Sequence, residues 1–164
     1  MIADSLCVTS WRAKPASFVG LMTLYESNYV RLRGLAGDLR GLTGRRVSSV
    51  PSDCDLHLDA IEHSPYTTVF RLTYLFDDEP GLVADPDLEI RVYHDARLAE
   101  AGRCGRWQRH PGLAAIRSRV SASLGDRWLR NMLLNKWLDY CVGRGHRFEA
   151  TTAEAGGNTH ESER

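Results

Sequence analysis

The sequence lacks an excess of charge of either sign, because its 21 basic residues balance its 21 acidic residues. A chain without a global positive field has no general attraction for nucleic acid or for membrane surfaces, so either kind of binding would need a local patch. No segment approaches the roughly 20 consecutive apolar residues that span a bilayer. Residues 1–17 also lack the basic start and the continuous apolar run of a signal peptide. We therefore predict a cytoplasmic protein without a membrane partner.

Cysteine is scarce as well, and the four cysteines stand far apart in the chain. They form no Cys-x-x-Cys pair and have no nearby histidine at the spacing of a zinc site, which indicates free thiols in a reducing compartment. Phosphate-binding glycine loops, dinucleotide loops and the Gly-x-Ser-x-Gly elbow of hydrolases are also absent. We predict neither a metal site nor a cofactor, and no motif assigns a catalytic residue. The cysteines are Cys7, Cys54, Cys104 and Cys141.

Length and composition fit one domain with a substantial core. A chain of 164 residues with 43% hydrophobic content buries roughly two-thirds of the surface that its unfolded form exposes. Residues 1–16 are polar and broken by Pro15, and large apolar residues disappear from Ala150 onward. We predict a flexible arm over residues 1–16, a single domain over 17–149 and a disordered tail over 150–164.

Two stretches of this domain have the spacing of amphipathic helices. From Phe18 the apolar residues recur every three or four positions, with Ser17 as a candidate N-cap and several glycines from Gly34 onward to end the helix. In the second stretch, Ser123 and Asp126 resemble a capping box that opens the helix, and Gly143 and Gly145 end it. Its apolar side chains, which we expect to pack in the core, are Trp128, Leu129, Met132, Leu133, Trp137, Leu138 and Cys141.

Between the helices the chain alternates apolar and polar residues in the manner of β-strands. We expect an acidic, proline-containing connection over residues 77–87 and an irregular connection over 106–122. Short connections make neighbouring strands antiparallel. The predicted fold is α+β, with a curved antiparallel sheet of about four strands packed by an N-terminal and a C-terminal helix. The predicted strands lie at 54–61, 66–76, 88–95 and within 96–104.

The strand at 88–95 has the clearest alternation in the chain. Its apolar positions lie on one face and Arg91 and Tyr93 on the other, and His94 and Asp95 follow at its end. An apolar scaffold can hold ionisable groups at the edge of a cleft in such a position. This strand end is therefore where we predict polar chemistry.

Four segments of the chain carry a family resemblance. They are Tyr25-Glu-Ser-Asn-Tyr29, Glu62-His-Ser-Pro-Tyr-Thr-Thr68, Arg91-Val-Tyr-His-Asp-Ala96 with Ala99-Glu100, and Asn135-Lys-Trp-Leu-Asp-Tyr-Cys141 with Gly145. In this order and spacing they resemble the YqiB-like family of small bacterial proteins, a domain of unknown function, over about residues 18–147. The resemblance implies a compact cytoplasmic α+β domain and no established activity. Residues 106–127 depart from the family's pattern, so the resemblance implies no function for that connection.

The four segments concentrate polar side chains beside apolar elements, and we predict that these side chains line a ligand pocket. A proton-transfer role suits His94, which Asp95 or Glu62 would orient, and Arg91 is suited to grip an anionic group. The structural alternative gives the same residues a strand-end hydrogen bond, a turn cap and a cross-strand pair. Their convergence depends on strand register, which the sequence leaves open. The candidate ligand-binding residues are Arg91, Tyr93, His94, Asp95, Glu62, Tyr66, Glu100, Glu26 and Asn28.

The predicted function is a non-enzymatic binding or regulatory module that recognises a protein or a small anionic ligand around Arg91 and His94. The alternative is a small hydrolase or transferase acting on a phosphorylated substrate, which requires Arg91 and His94 to converge with Asp95 and Glu62 in a concave pocket. A second alternative is nucleic-acid binding through the arginine-rich region 103–130, with an affinity that falls steeply as salt rises.

Overall fold

Among the residues that the structure describes, one sheet has five strands and is accompanied by two helices. The computed structural model describes residues 17–78, 81–104 and 126–149. All neighbours in the order β1-β2-β3-β4-β5 pair antiparallel. The predicted α+β class and strand meander are confirmed. The helices are α1 (Phe18–Ala36) and α2 (Asp126–Gly143), and the strands are β1 (Arg45–Ser48), β2 (Leu56–His63), β3 (Thr67–Asp78), β4 (Gly81–Tyr93) and β5 (Leu98–Cys104).

β1 is the strand that was not predicted from the sequence. It is only four residues long, too short to show an alternating pattern, and it follows a stretch rich in glycine and arginine. Tertiary pairing creates this strand, because Arg45 to Ser48 lie opposite Asp59 to Leu56 of β2. Within the described ranges the sheet therefore has five strands rather than about four.

The hairpin of β3 and β4 is longer than predicted. The expected connection over 77–87 is wrong, because β3 continues to Asp78 and β4 begins at Gly81. The ladder resumes at Leu75 and Ala84 after an irregularity and runs to the tip. Acidic residues and Pro86 disfavour strands on propensity alone, so the paired neighbour decides the conformation here.

The core lies between one face of the sheet and the two helices. The amphipathic stripes predicted for both helices are confirmed, and each large apolar side chain that is fully buried contributes roughly 1.5–3 kcal/mol to stability. The helices supply Leu32, Leu35, Leu134, Trp137, Leu138 and Cys141, and the sheet supplies Leu56, Leu58, Phe70, Leu72, Leu88, Ile90 and Val92.

The ends of α1 follow from two local signals. Ser17 is the predicted N-cap, and its Oγ accepts a hydrogen bond from the Gly20 N–H at 3.0 Å. At the other end Gly37 has a φ of 72°, a left-handed conformation that glycine adopts freely. The Gly37 N–H donates to the Arg33 carbonyl at 2.8 Å. The chain then turns away from the helix axis and forms one wall of the cleft described below.

Buried asparagines fasten both helices to β5, the outer strand of the sheet. Asn28 Nδ2 lies 3.4 Å from the Ala99 carbonyl oxygen and 3.3 Å from Asn131 Oδ1, to which it donates. Asn131 Oδ1 accepts the Ala101 N–H at 2.8 Å, and Asn135 Nδ2 donates to Asn28 Oδ1 at 3.0 Å. The outer strand of a sheet presents backbone groups without a strand partner. The asparagine side chains bind two such groups on β5, the Ala99 carbonyl and the Ala101 N–H.

Three predicted segments lie outside the described residues. They are the arm at 1–16, the connection at 106–122 and the tail at 150–164. In the part of the chain that the structure describes, neither helix is long and apolar enough to cross a membrane.

Candidate functional site

A cleft opens where the turn between β4 and β5 meets the end of α1. The turn, residues 94–97, places His94 and Arg97 beside Tyr29 and Arg33 of α1. The segment from Gly37 to Arg40 completes the lining of this cleft, whose volume is about 540 Å³. Such a volume suits a small molecule. We call this site the arginine cleft.

His94 is the buried polar residue of the arginine cleft, with 7% of its surface exposed. Its backbone N–H donates to the Tyr66 carbonyl at 2.9 Å, and its Nε2 lies 2.8 Å from Thr68 Oγ1. The same hydroxyl lies 3.1 Å from His63 Nδ1. Burial lowers the pKa of His94, and the charges of Arg40 and His63 lower this pKa further. The imidazole is therefore neutral near pH 7.

The charges around the arginine cleft are mainly positive. Arg40 Nη2 lies 2.8 Å from Asp95 Oδ1 in an ion pair that is exposed and contributes little stability. Asp38 accepts the backbone N–H of Arg40 at 3.1 Å. Arg33 and Arg97 are exposed, and neither forms an ion pair with any residue in the described ranges. Two guanidinium groups are thus available to an anion beside a neutral imidazole.

A second cavity continues from the arginine cleft along α1 and shares Tyr29, Arg33 and Arg97 with it. Its volume is about 630 Å³. One of its side chains, Val30, is 66% exposed, so an apolar wall faces solvent. We call this cavity the apolar trough. The remaining residues that line it are Glu26, Gly34 and Ala96.

Glu100 forms a different polar cluster, with side chains from four elements. Its carboxylate accepts the Tyr25 hydroxyl at 3.1 Å and the Tyr93 hydroxyl at 3.2 Å. Arg127 Nε of α2 lies 3.9 Å from it. Burial, and after it the charge of Glu100, raises the pKa of Tyr25 to about 12, which keeps this phenol a hydrogen-bond donor. The cluster ties both helices to β4 and β5, and neither Tyr93 nor Glu100 lines the arginine cleft.

The residues predicted from sequence to share one pocket lie in several places. His94 lines the arginine cleft, Asp95 pairs with Arg40 of that cleft, and Glu26 lines the apolar trough. Asn28 is fully buried in the amide cluster beneath α1. The set of Glu62, Asp95, Arg91 and His94 that a hydrolase or transferase requires does not line one described cavity. The exposed residues that line neither cavity are Arg91, Glu62, Tyr66 and Asp95.

Sequence reasoning missed the residues that give the arginine cleft its charge. Tyr29 and Arg33 stand one helical turn apart, so their shared face was a usable signal. Arg97 gives no such signal, because only the pairing of β4 with β5 brings its turn to that face of α1. Its φ of 55° reflects the tightness of the turn.

A buried polar network, also missed from sequence, holds the segment after α2 against the sheet. His146 is fully buried, with Nδ1 3.1 Å from Ser48 Oγ and Nε2 3.3 Å from Asp53 Oδ2. The Tyr74 hydroxyl donates to the same carboxylate oxygen at 2.8 Å and lies 3.3 Å from Cys141 Sγ. Burial raises the pKa of Cys141 to about 12, so its thiol stays protonated and unreactive.

A serine, a histidine and an aspartate joined by consecutive hydrogen bonds are also the components of a hydrolase triad. Here the Ser48 Oγ accepts the Arg147 N–H at 3.0 Å, and Ser48 is only 5% exposed. A nucleophile needs an accessible hydroxyl, whereas this one is enclosed and engaged with the backbone. We therefore assign the network of Ser48, Asp53 and His146 a structural role, in which it anchors the chain after α2 to β1.

Two other predictions concern metals and nucleic acid. Among the residues that the structure describes, no three His, Cys, Asp or Glu side chains lie close enough together to hold a metal ion. Most of the arginine-rich region 103–130 lies outside those residues. Its arginines in the undescribed part are Arg106, Arg109, Arg117 and Arg119.

Comparisons with known proteins place the chain in a family. A family model described as "Protein of unknown function (DUF1249)" matches residues 31–147. "Uncharacterized protein YqiB" of Escherichia coli (strain K12) is 25% identical over 130 residues, which cover 78% of this chain and 90% of that protein. YqiB of Escherichia coli O157:H7 matches with the same identity and coverage. No solved structure matches the chain. The match from residue 31 to residue 147 spans most of the described fold, and the chain belongs to the DUF1249 family of unknown function.

Proposed function

We propose that the protein is a non-enzymatic binding module that holds a small anionic ligand in the arginine cleft. One observation carries this proposal: Arg33 and Arg97 line a concave site, and within the described ranges neither has an ion-pair partner. A guanidinium group matches phosphate and carboxylate oxygens through parallel N–H donors. Two such groups facing one cavity favour an anion over a neutral or cationic ligand.

The neighbouring charges support the same proposal. Arg40 is held by Asp95 through an exposed ion pair, and such a pair is weak enough for an arriving anion to compete with it. The pKa of His94 is lowered by burial and then by the Arg40 charge. A bound anion opposes the Arg40 charge, so ligand binding raises the pKa of His94. His94 is thus an internal reporter of the occupied site.

Binding is favoured over catalysis because the candidate acid or base stands apart from its expected partners. His94 lines the arginine cleft, whereas Glu62 and Arg91 are exposed and line neither described cavity beside α1. A hydrolase or transferase needs a positioned nucleophile or second proton carrier as well as an anion clamp. The proposal includes a cytoplasmic location, where thiols such as those of Cys54 and Cys141 stay reduced.

Two single substitutions test the proposed site. Arg97→Gln removes a guanidinium group that lines the cleft, and Arg91→Gln removes one from β4 outside the cleft. NMR amide shifts during a titration with inorganic phosphate give the Kd of each variant. We expect Arg97→Gln to weaken phosphate binding about tenfold or more, because a hydrogen bond to a charged group contributes about 1.5–3 kcal/mol.

Arg91→Gln is the matched control, and its Kd should stay within about twofold of the unmodified value because exposed charges outside a site contribute little. The proposal is wrong if phosphate leaves the spectrum of the unmodified protein unchanged. It is also wrong if both variants lose affinity equally, because the site would then not be the arginine cleft.

A further inference from the structure

We infer that the ligand is a small phosphate ester with an apolar body, whose phosphate lies in the arginine cleft and whose body lies in the apolar trough. This inference rests on the proposed anion site and adds the chemical class of its ligand. It comes from the junction of the two cavities, which share Tyr29, Arg33 and Arg97.

The charge of the cleft favours a phosphate ester over a singly charged carboxylate. Two arginines of the cleft, Arg33 and Arg97, lack an ion-pair partner among the described residues, and the third, Arg40, is matched by Asp95. A phosphate monoester near neutral pH carries close to two negative charges, whereas a diester carries one. A monoester can therefore satisfy both available guanidinium groups at once.

The space beside the cleft favours an ester over free phosphate. The arginine cleft has a volume of about 540 Å³ and the adjoining trough about 630 Å³. A bare phosphate group is far smaller than either cavity and touches only the charged end. Because Arg33 and Arg97 line both cavities, a phosphate held between them has its ester oxygen next to the trough.

Between its charged residues the trough has apolar walls, and small residues leave it open. Val30 is 66% exposed, and a ligand that covers it removes apolar surface from water. Gly34 has no side chain, and a Cβ placed there would meet no atom within 4 Å. Ala96 adds only a methyl group. Larger residues at Gly34 or Ala96 would fill the space that we assign to the apolar body.

Glu26 sets the direction in which the ligand binds. This exposed carboxylate lines the apolar trough but not the arginine cleft. Its negative charge repels a phosphate from the trough, so the phosphate is held at the arginines. Glu26 can also accept a hydrogen bond from a donor on the apolar body.

Two phosphate esters that differ only in their apolar part test this inference. Methyl phosphate offers the charge with almost no body, and phenyl phosphate offers the same charge with a ring. We expect phenyl phosphate to bind about tenfold more tightly, because the ring buries apolar surface against Val30 and Ala96. Amide shifts in an NMR titration give both Kd values and identify the residues that respond.

Gly34→Leu is the variant that separates the two parts of the site. Leucine is a good helix former and meets no atom of the fold near its Cβ, so α1 should remain intact. We expect the variant to lose the roughly tenfold advantage of phenyl phosphate over methyl phosphate, so that the ratio of the two Kd values falls toward one. Amide shifts of His94 and Arg97 on addition of methyl phosphate show whether the arginine cleft is still formed.

The outcomes distinguish this inference from the proposed function. Equal Kd values for the two esters in the unmodified protein overturn the inference and leave the anion site standing. An advantage of phenyl phosphate that persists in Gly34→Leu also overturns it, because the ring would then lie elsewhere. If neither ester binds, the proposed function fails and the inference fails with it.

Discussion

Among single residues, His94 connects the fold most directly to the proposed ligand. Its ring is buried, hydrogen-bonded to Thr68 and close to Arg40, and these surroundings favour its neutral form. His94 is predictable from the sequence as a site residue because it follows a clearly alternating strand. Its neighbours Arg33 and Arg97 are not predictable in this way, because their approach to His94 depends on how α1 crosses the end of the sheet.

The lowered pKa of His94 predicts how stability depends on pH. The unfolded chain binds a proton at His94 more readily than the folded protein does, because the folded pKa lies below the ordinary value. The free energy of unfolding therefore falls as the pH drops below about 6.5 toward the folded pKa. His94→Gln removes this contribution. Urea unfolding near pH 7.5 and near pH 5.5 should show a larger loss for the unmodified protein than for the variant.

All other histidines are present in both proteins, so the difference between the two losses isolates His94. Equal losses would show that burial and the Arg40 charge do not disfavour the protonated ring in the folded state.

At the scale of helices and strands, local patterns predicted most elements and tertiary pairing decided the rest. Both helices carry a clear apolar stripe, and α1 has its N-cap at Ser17, so the sequence contains enough information to place them. The sequence does not contain enough information to place β1 or the tip of the β3–β4 hairpin. Their residues have little strand preference and are extended only because they pair with neighbouring strands.

From the asparagine cluster we predict that Asn131 contributes to the free energy of unfolding by binding the outer edge of β5. Asn131→Ala removes the acceptor of the buried Ala101 N–H and a partner of Asn28. We expect a loss of about 2–3 kcal/mol in the free energy of unfolding, because buried groups are left without a hydrogen bond. Urea unfolding measures this loss.

A control for this variant lies on the same helix. Asp139→Asn breaks the exposed ion pair with Arg31, which should change stability by no more than about 1 kcal/mol. If Asn131→Ala is no more destabilising than Asp139→Asn, the amide side chains do not secure the edge of the sheet.

The end of α1 offers a matched pair of glycine substitutions. A Cβ at Gly34 or at Gly37 would meet no atom within 4 Å, but only Gly37 has a positive φ, 72°. Gly37→Ala should destabilise the protein by about 1 kcal/mol, because alanine is strained in the left-handed conformation. Gly34→Ala should stabilise it by about 0.5–1 kcal/mol, because alanine is the better helix residue.

Thermal and urea unfolding of the two glycine variants measure these changes. Changes of the same sign in both variants would contradict the helix end at Ala36 and the left-handed turn at Gly37.

At the scale of the whole molecule, balanced composition conceals a local separation of charge. The chain has no net charge, yet the fold gathers Arg33, Arg40 and Arg97 around one cleft. Composition correctly excluded a global positive field, but it carries no information about where charges meet. The fold class was predictable because hydrophobic periodicity is local, whereas the site was only partly predictable because it joins a helix end to a distant turn.

The most direct test of the anion-binding proposal is to measure the pKa of His94 with and without inorganic phosphate. The NMR signals of the His94 ring, recorded as a function of pH, give this pKa. We predict that saturating phosphate raises this pKa, because a bound anion offsets the positive charge of Arg40. The contrary result is a pKa of His94 that does not change, at phosphate concentrations well above those that shift the amide signals. This result would contradict an anion site in the arginine cleft.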